Sequence, residues 1–114
     1  MKDHHGCPVQ ASINVLSGKW KVQILWHLSF GPQRFAGVRK KLPQISEKVL
    51  ADQLRQLTRD GVLDRSVIAS VPPQVTYSLN AEGKKLVPLM EYLCDWGSAH
   101  FGIKPNLPHR PARH

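Results

Sequence analysis

Apolar residues recur at helical spacing through the middle of the chain. Leu50, Leu54 and Leu57 stand at positions i, i+4 and i+7, which predicts a helix with one buried stripe. Ser46 precedes this segment as an N-cap whose hydroxyl accepts from a free backbone amide. Gly61 follows it and supplies the left-handed conformation in which many helices end. The pattern therefore predicts one short amphipathic helix between Ser46 and Gly61.

The opposite side of this helix is mainly basic and carries Lys48, Ala51, Asp52, Arg55 and Arg59. A short helix with one apolar stripe and a basic outer face fits a DNA major groove. Taken alone, such a helix is more often an ordinary solvated surface element. The neighbouring elements decide between these two interpretations.

A shorter helix is predicted just before it. Phe35, Val38 and Leu42 face inward at helical spacing, and Pro43 ends the helix because the residue before a proline is pushed out of the α region. Two short helices joined by so few residues form a helix-turn-helix, in which the second helix contacts the bases.

Two strands are predicted after Gly61. Residues 62–70 are rich in β-branched side chains and partly alternate, and residues 75–79 form the returning strand. The connecting residues 71–74 include two prolines, which do not pair inside a sheet. On its own the hairpin is equally a structural ribbon, but the order helix, turn, basic helix and hairpin is that of a winged helix-turn-helix.

The net charge of +8 is concentrated around the helix-turn-helix. Residues 33–60 contain seven basic and three acidic residues, a net +4, whereas residues 81–101 contain two basic and three acidic residues. This distribution is expected of a protein that binds nucleic acid, so we expect double-stranded DNA as the partner. We expect Lys48 and Arg55 to contact bases and Arg34, Lys40, Lys41 and Arg65 to hold phosphates. The supporting residues are Ser46, Ala51, Asp52 and Arg59.

A chain of 114 residues is long enough for one domain with a modest core. No apolar run approaches the ~20 residues of a membrane span, and the first residues lack the apolar core of a signal peptide. We therefore expect a cytoplasmic protein that does not contact the membrane. The composition predicts a flexible N-terminus over residues 1–6, a winged helix-turn-helix domain over residues 7–102 and a disordered basic tail over residues 103–114.

Further helices are predicted on both sides of the helix-turn-helix, over residues 8–16 and 19–28 and from near Asn80 to about Phe101, with a bend at Pro88. The apolar arc of the last helix spans two faces, which is more than one small core needs. We therefore expect a homodimer formed through the N- and C-terminal helices. The alternative is a last helix that its own chain buries on two sides.

Two cysteines do not make a disulfide framework, and both are expected to be free thiols. Cys7 precedes Pro8, so the amide dipoles of a helix start favour its reactive thiolate form. The alternative is a small residue that opens a helix. The spacing of His4, His5 and Cys7 matches no standard zinc pattern, so no metal or other cofactor is expected. Cys94 is expected to be inert packing.

Five phrases of the sequence, taken in order, carry a resemblance to a known family. They are Cys-Pro-Val at residues 7–9, Ser-Gly-Lys-Trp-Lys at 17–21, Leu-Pro-Gln-Ile-Ser at 42–46, the stretch 71–79 followed by Gly83, and Cys-Asp-Trp at 94–96. With them the chain resembles the HxlR family of bacterial transcription regulators, which is related to the MarR-type winged helices. The resemblance covers roughly residues 7–100.

This resemblance implies a homodimer that binds inverted repeats near promoters and represses or activates neighbouring genes. It also implies that the first and last helices form the dimer interface. In some members a cysteine in the phrase that matches Cys7-Pro8-Val9 senses oxidants or electrophiles such as quinones, and others sense small molecules. Cys7 is therefore a candidate redox sensor, and the inducer is expected to be an electrophile or another small molecule.

Two other classes of function compete with a DNA-binding regulator, here expected to be a repressor. The sequence has no Gly-rich phosphate loop, no metal-ligand pair on a helix and no nucleophile with a base, so we predict that it is not an enzyme. A winged helix that binds protein and has no specific DNA target is the alternative, since a fold does not fix a function. The net +4 of residues 33–60 favours nucleic acid over this alternative.

Overall fold

Six helices and three short strands make up most of residues 6–105, the part of the chain that the computed structural model describes. The helices are α1 (Pro8–Leu16), α2 (Lys21–Leu28), α3 (Phe35–Lys41), α4 (Glu47–Arg59), α5 (Ala81–Lys84) and α6 (Val87–Phe101), and the strands are β1 (Gln33–Arg34), β2 (Leu63–Ile68) and β3 (Gln74–Leu79). The expected fold class, mainly helical with a small β wing, is confirmed. Residues 1–5 of the predicted flexible N-terminus and residues 106–114 of the predicted tail lie outside the described residues.

The predicted basic helix corresponds to α4, and its two end signals act as expected. The hydroxyl of Ser46 accepts a hydrogen bond from the backbone amide of Val49 at 3.1 Å. Gly61 adopts a φ of +85°, which L side chains rarely take. The leucine stripe of α4 is fully buried, as predicted, and it anchors the helix to the core.

The wing is a three-stranded antiparallel sheet in the order β1-β3-β2. β2 and β3 form the expected hairpin, in which Val67 lies opposite Val75 and Arg65 opposite Tyr77. The sequence did not predict β1. A two-residue strand is too short to show an alternating pattern, and it exists only because Gln33 pairs with Tyr77 in the folded chain.

One expectation about the C-terminal helix is wrong. The sequence predicted a single helix bent at Pro88, but the structure has two helices, α5 and α6, separated by Lys85 and Leu86. Pro88 lacks an amide proton and its ring would collide with the carbonyl four residues earlier, so the first helix ends before it. In the first turn of α6, Pro88 removes no helical hydrogen bond, because those amides have no partner inside the helix.

The short helix α5 fixes the C-terminal half of the chain against the end of α4. The side-chain oxygen of Asn80 caps α5 by accepting from the amide of Gly83 at 2.9 Å, and its side-chain nitrogen donates to the carbonyl of Gly61 at 2.9 Å. A Cβ added at Gly83 would collide with the backbone carbonyl oxygen of Val62. Only glycine therefore allows α5 to lie so close to Val62, the residue that directly precedes β2.

The core lies between α2, α3, α4, the sheet and α6. Its fully buried side chains are Ile24, Leu25, Val38, Ile45, Leu50, Leu54 and Leu57, with Leu28, Leu42, Val62, Leu63, Leu79 and Met90 packed beside them. None of the helices between residues 6 and 105 has the length and hydropathy of a membrane-spanning segment.

Candidate nucleic-acid interface

The outer face of α4 is open to solvent and carries the basic side chains predicted there. Lys48, Arg55 and Arg59 are exposed, while Ala51 and Asp52 are half-buried. Nη1 of Arg55 donates to Oδ1 of Asp52 at 2.9 Å, and 71% of the Arg55 side chain remains exposed. An exposed ion pair of this kind is weak, so the guanidinium remains available to other hydrogen-bond acceptors.

A cleft of about 460 Å³ lies between α4 and the wing. It is lined by Ala51, Arg55, Thr58, Arg59, Arg65 and Tyr77. The pairing of β2 with β3 places Arg65 opposite Tyr77, and both residues line the cleft. Three guanidinium groups from two elements therefore share one concave surface. Each carries a planar fork of donors that matches the oxygens of a phosphate or the acceptors of a guanine edge.

Two residues of this cleft were not predicted from the sequence. Thr58 follows Arg55 by three positions, so helical spacing alone indicates that the two side chains lie on the same face of α4. Tyr77 lies on β3, and no spacing in the sequence connects it to α4. Its place in the cleft depends on the strand register alone.

Arg39 is a third residue that sequence reasoning missed, and it joins the two helices of the helix-turn-helix. Its Nη1 donates to Oε1 of Glu47 at 3.2 Å, which ties the end of α3 to the start of α4. Arg39 and Lys40 also border a shallow concave surface between these helices. Because the ion pair spans the turn, it becomes visible only in the folded chain.

Three of the four predicted phosphate contacts, Arg34, Lys40 and Lys41, do not line the cleft between α4 and the wing. Arg34 is exposed on β1 and shares a concave surface with Pro73 at the turn of the wing. Lys41 lines a different cavity, beside Trp20 and His27 of the α2 region. Arg34 therefore extends the basic surface along the wing, whereas Lys41 stands apart from it. The predicted roles of these three residues remain predictions.

The two cysteines differ in their surroundings. Cys7 is the exposed N-cap of α1, and Pro8 takes the first helical position as expected. Its carbonyl accepts from the amide of Ala11 at 2.9 Å, but its thiol makes no capping hydrogen bond. Cys94 is only half-buried and borders the cavity that Lys41 lines, so it is less enclosed than the expected inert core residue.

Apolar side chains of α1 and α6 remain exposed in the single chain. Val9 and Ile13 of α1 are 68% and 50% exposed, and Trp96 and Phe101 of α6 are 51% and 64% exposed. Leu89, Tyr92 and Leu93 of α6 are exposed as well. The rings of Trp96 and His100 stack on each other at 4.7 Å. We call these side chains of α1 and α6 the terminal-helix surface.

The metal site considered for His4, His5 and Cys7 involves two residues outside the described part of the chain. Within residues 6–105, no group of three or more His, Cys, Asp or Glu side chains is arranged to hold a metal ion.

Comparison with known proteins adds independent findings. The family model for HxlR-like helix-turn-helix proteins matches residues 15–104. The chain is 44% identical to the uncharacterized HTH-type transcriptional regulator YdeP of Bacillus subtilis (strain 168) over 98 residues, which cover 86% of this chain and 77% of YdeP.

Solved structures of regulators resemble the fold closely. The redox regulator HypR in its reduced form matches with a TM-score of 0.81 and 37% identity, over 83% of this chain and 94% of the HypR chain. The reduced form of the transcriptional regulator YodB from B. subtilis matches with a TM-score of 0.73 and 28% identity, over 82% of this chain and 93% of the YodB chain. All three similar proteins are named as regulators and none as an enzyme.

Proposed function

Because the chain belongs to the HxlR-like helix-turn-helix family of DNA-binding transcription regulators, we propose that it acts as a homodimer on an inverted-repeat operator, where it represses transcription. In each protomer α4 enters the major groove and the wing lies along the adjacent backbone. A transcription regulator acts on the chromosome, so the location we propose is the cytoplasm.

The cleft between α4 and the wing is the observation that carries this proposal. Arg55, Arg59 and Arg65 share it, although they come from a helix and a strand. Three guanidinium groups on one concave surface suit a duplex, because its backbone presents a regular row of phosphates.

The proposed contacts divide into two classes. Lys48 and Arg55, on the exposed face of α4, contact base edges and set sequence preference. Arg34, Lys40, Lys41 and Arg65 hold phosphates and set the position of the protein on the duplex. Ser46, Ala51, Asp52 and Arg59 support these contacts: Ser46 caps the helix, and Asp52 orients the Arg55 guanidinium.

A homodimer accounts for the terminal-helix surface. Indole and phenyl rings are large apolar groups, and burying them against a second copy removes them from water. A two-fold axis through this surface makes the same patch of each protomer contact its copy. It also relates the two α4 helices, which then reach half-sites about one helical turn, ~10 bp, apart.

Cys7 supplies a second proposed function, a redox response. HypR is named a redox regulator, and it is similar to this chain over most of both chains. The exposed thiol of Cys7 begins the helix that carries Val9 and Ile13 of the terminal-helix surface. An adduct or a disulfide at this thiol therefore changes the spacing between the two α4 helices and so the affinity for the operator.

The test recovers genomic DNA bound to the full chain, footprints the enriched sites and measures the mass of the complex in solution. We expect a two-fold-symmetric footprint occupied by two chains, with affinity that falls steeply as salt increases. One chain on one asymmetric site would refute the dimeric operator complex. Failure to bind any duplex at low salt would favour the alternative of a protein-interaction module.

A further inference from the structure

The connection between α1 and α2 runs beside α4. It consists of residues 17–20, most of the Ser-Gly-Lys-Trp-Lys phrase, to which the proposed function assigns no role. A Cβ added at Gly18 would lie 3.9 Å from Oε1 of Gln53, so the backbone of Gly18 lies close to this side chain of α4. Lys19 is the next residue, and it is exposed. A lysine far from the helix-turn-helix in sequence is therefore carried on backbone that adjoins its second helix.

This contact lies on the flank of α4 that is turned away from the wing. Ala51 lines the cleft between α4 and the wing. An α-helix turns by about 100° per residue, so Gln53 lies about 200° from Ala51, measured across the outer face. Asp52 stands between the two flanks on that outer face. The wing and the α1–α2 connection therefore border the outer face of α4 from opposite sides.

Lys19 brings a positive charge to this second side. None of the acidic residues between positions 6 and 105 forms an ion pair with it. Its ammonium lies 5.0 Å from the centroid of the Trp20 ring, and its carbonyl oxygen accepts from Nε2 of Gln23 in α2 at 2.9 Å. A cation–π contact at an exposed site is weak. The backbone of Lys19 is therefore anchored to α2, while its ammonium remains available to an anion.

We propose that Lys19 binds a phosphate of the DNA strand opposite to the one that the wing contacts, an inference that rests on the proposed function. The major groove is about 12 Å wide, and an α-helix with its side chains is about 10–12 Å across. A helix in the groove therefore lies against both sugar-phosphate backbones. Arg65 contacts the backbone on the wing side, and Lys19 contacts the other as a point charge.

Two such contacts fix the position of α4 in the groove. Phosphate contacts set the register and orientation of a protein on the duplex but carry no base information of their own. With one contact on each strand, α4 is held from both sides, so its outer face meets the base edges at a fixed depth. Lys19 is in this sense a positioning residue and does not choose the sequence.

The contact is tested first by the salt dependence of DNA binding, with the full-length protein, its operator and a random duplex. Lys19→Gln should weaken binding to both duplexes by about threefold or more, and the slope of log affinity against log salt should become shallower by about 1 for each bound chain. Lys19→Arg keeps the charge and should keep the wild-type slope. The matched control Lys84→Gln, an exposed lysine of α5, should also leave the slope unchanged.

The strand is identified with operators in which single phosphates are replaced by neutral methylphosphonates. Replacement of the phosphate that Lys19 contacts should weaken binding of the wild type but have little effect on Lys19→Gln, because the two changes remove the same interaction. Arg65→Gln locates the phosphate on the wing side in the same way. Within one half-site the two phosphates should lie on opposite strands.

Three results would overturn the proposal: a wild-type salt slope in Lys19→Gln, no phosphate whose effect this variant abolishes, or Lys19 and Arg65 phosphates on the same strand. In each case the protein still binds its operator, and the proposed function stands. A wild-type chain that binds no duplex at low salt would instead refute the proposed function and this contact with it.

Discussion

Lys48 and Arg55 differ in the shape of their charged groups, and this difference should appear in their contributions to DNA binding. The Arg55 guanidinium is a planar fork of donors, so less side-chain freedom is lost for each hydrogen bond it makes to a base, whereas its exposed pair with Asp52 at 2.9 Å is weak. We expect Arg55→Ala to cost about 1–3 kcal/mol of operator binding and to relax sequence preference at one position per half-site. Lys48→Ala should also change preference, but by less, because a flexible ammonium makes a less specific contact.

These changes are measured by operator titration together with selection from randomised half-sites. Lys84→Ala is the control, since this exposed lysine lies on α5 outside the proposed interface. Unchanged operator affinity in both α4 variants, with the fold preserved, would show that this face of α4 does not contact bases.

Exposure separates the two thiols and predicts which one reacts first. Cys7 is exposed at the start of α1, whereas Cys94 is half-buried at the edge of the cavity. Titration with diamide or a quinone, followed by mass spectrometry, should therefore find modified Cys7 before modified Cys94. The Cys7→Ser variant should retain operator binding at oxidant doses that release the wild type. If wild type and Cys7→Ser lose operator binding at the same oxidant dose, Cys7 has a structural role only.

The surroundings of His27 predict a pH dependence of stability. Burial and the charge of Lys41 lower the pKa of His27 in the folded state, so the unfolded chain binds a proton at higher pH than the folded chain does. The contribution of His27 to stability is therefore complete above the unfolded-state pKa of ~6.5 and is lost as the pH falls from there through the lower pKa of the folded state. Urea denaturation at about pH 7.5 and 5.5 should show a larger loss of unfolding free energy for wild type than for His27→Gln. Equal losses would contradict this assignment.

Among the elements, the contact between α5 and the connection from α4 to β2 depends on one glycine. The Cβ of Gly83→Ala would collide with the backbone carbonyl of Val62, which cannot rotate away as a side chain would. The change should lower the unfolding free energy by about 1–3 kcal/mol. Gly97→Ala is the matched control in α6, where an added Cβ meets nothing within 4 Å in the protomer. Removing a helical glycine there should leave stability unchanged or raise it by up to about 1 kcal/mol.

The helices and the hairpin also show which elements a sequence pattern can predict. α4 carries three kinds of signal at once: a cap at Ser46, a leucine stripe and Gly61, and the structure confirms all three. The C-terminal helix carried a cap at Asn80, apolar spacing and Pro88, and the apolar spacing continues across the break at Lys85 and Leu86. A proline in such a pattern fits a bend as well as a new helix start, and only the folded chain shows that Pro88 stands in the first turn of a new helix.

At the scale of the whole molecule, the terminal-helix surface predicts the oligomeric state. A charge placed among these side chains would be buried without a partner in a dimer, at a cost of several kcal/mol, but would be solvated in a monomer. Ile13→Glu and Trp96→Glu should therefore convert a dimer into monomers, as measured by sedimentation or light scattering. Ser12→Glu, at an exposed position on the same helix, is the control for added charge. A monomeric wild type would contradict the homodimer, and so would dimers that survive both apolar substitutions.

The winged helix-turn-helix order, the ends of α4 and the basic character of residues 33–60 follow from the amino-acid sequence alone. Each of these depends on residues close together in the chain, because capping, helical spacing and charge clustering are local properties. Tertiary structure decided the rest. β1 exists only through its pairing with β3, and Tyr77 joins the cleft of Arg55, Arg59 and Arg65 only because the strand register sets it opposite Arg65. In the sequence Lys41 is indistinguishable from the other basic residues near the helix-turn-helix. In the folded chain the packing of α2 and α6 places it at a cavity beside His27. Residue spacing along the chain does not encode such long-range contacts.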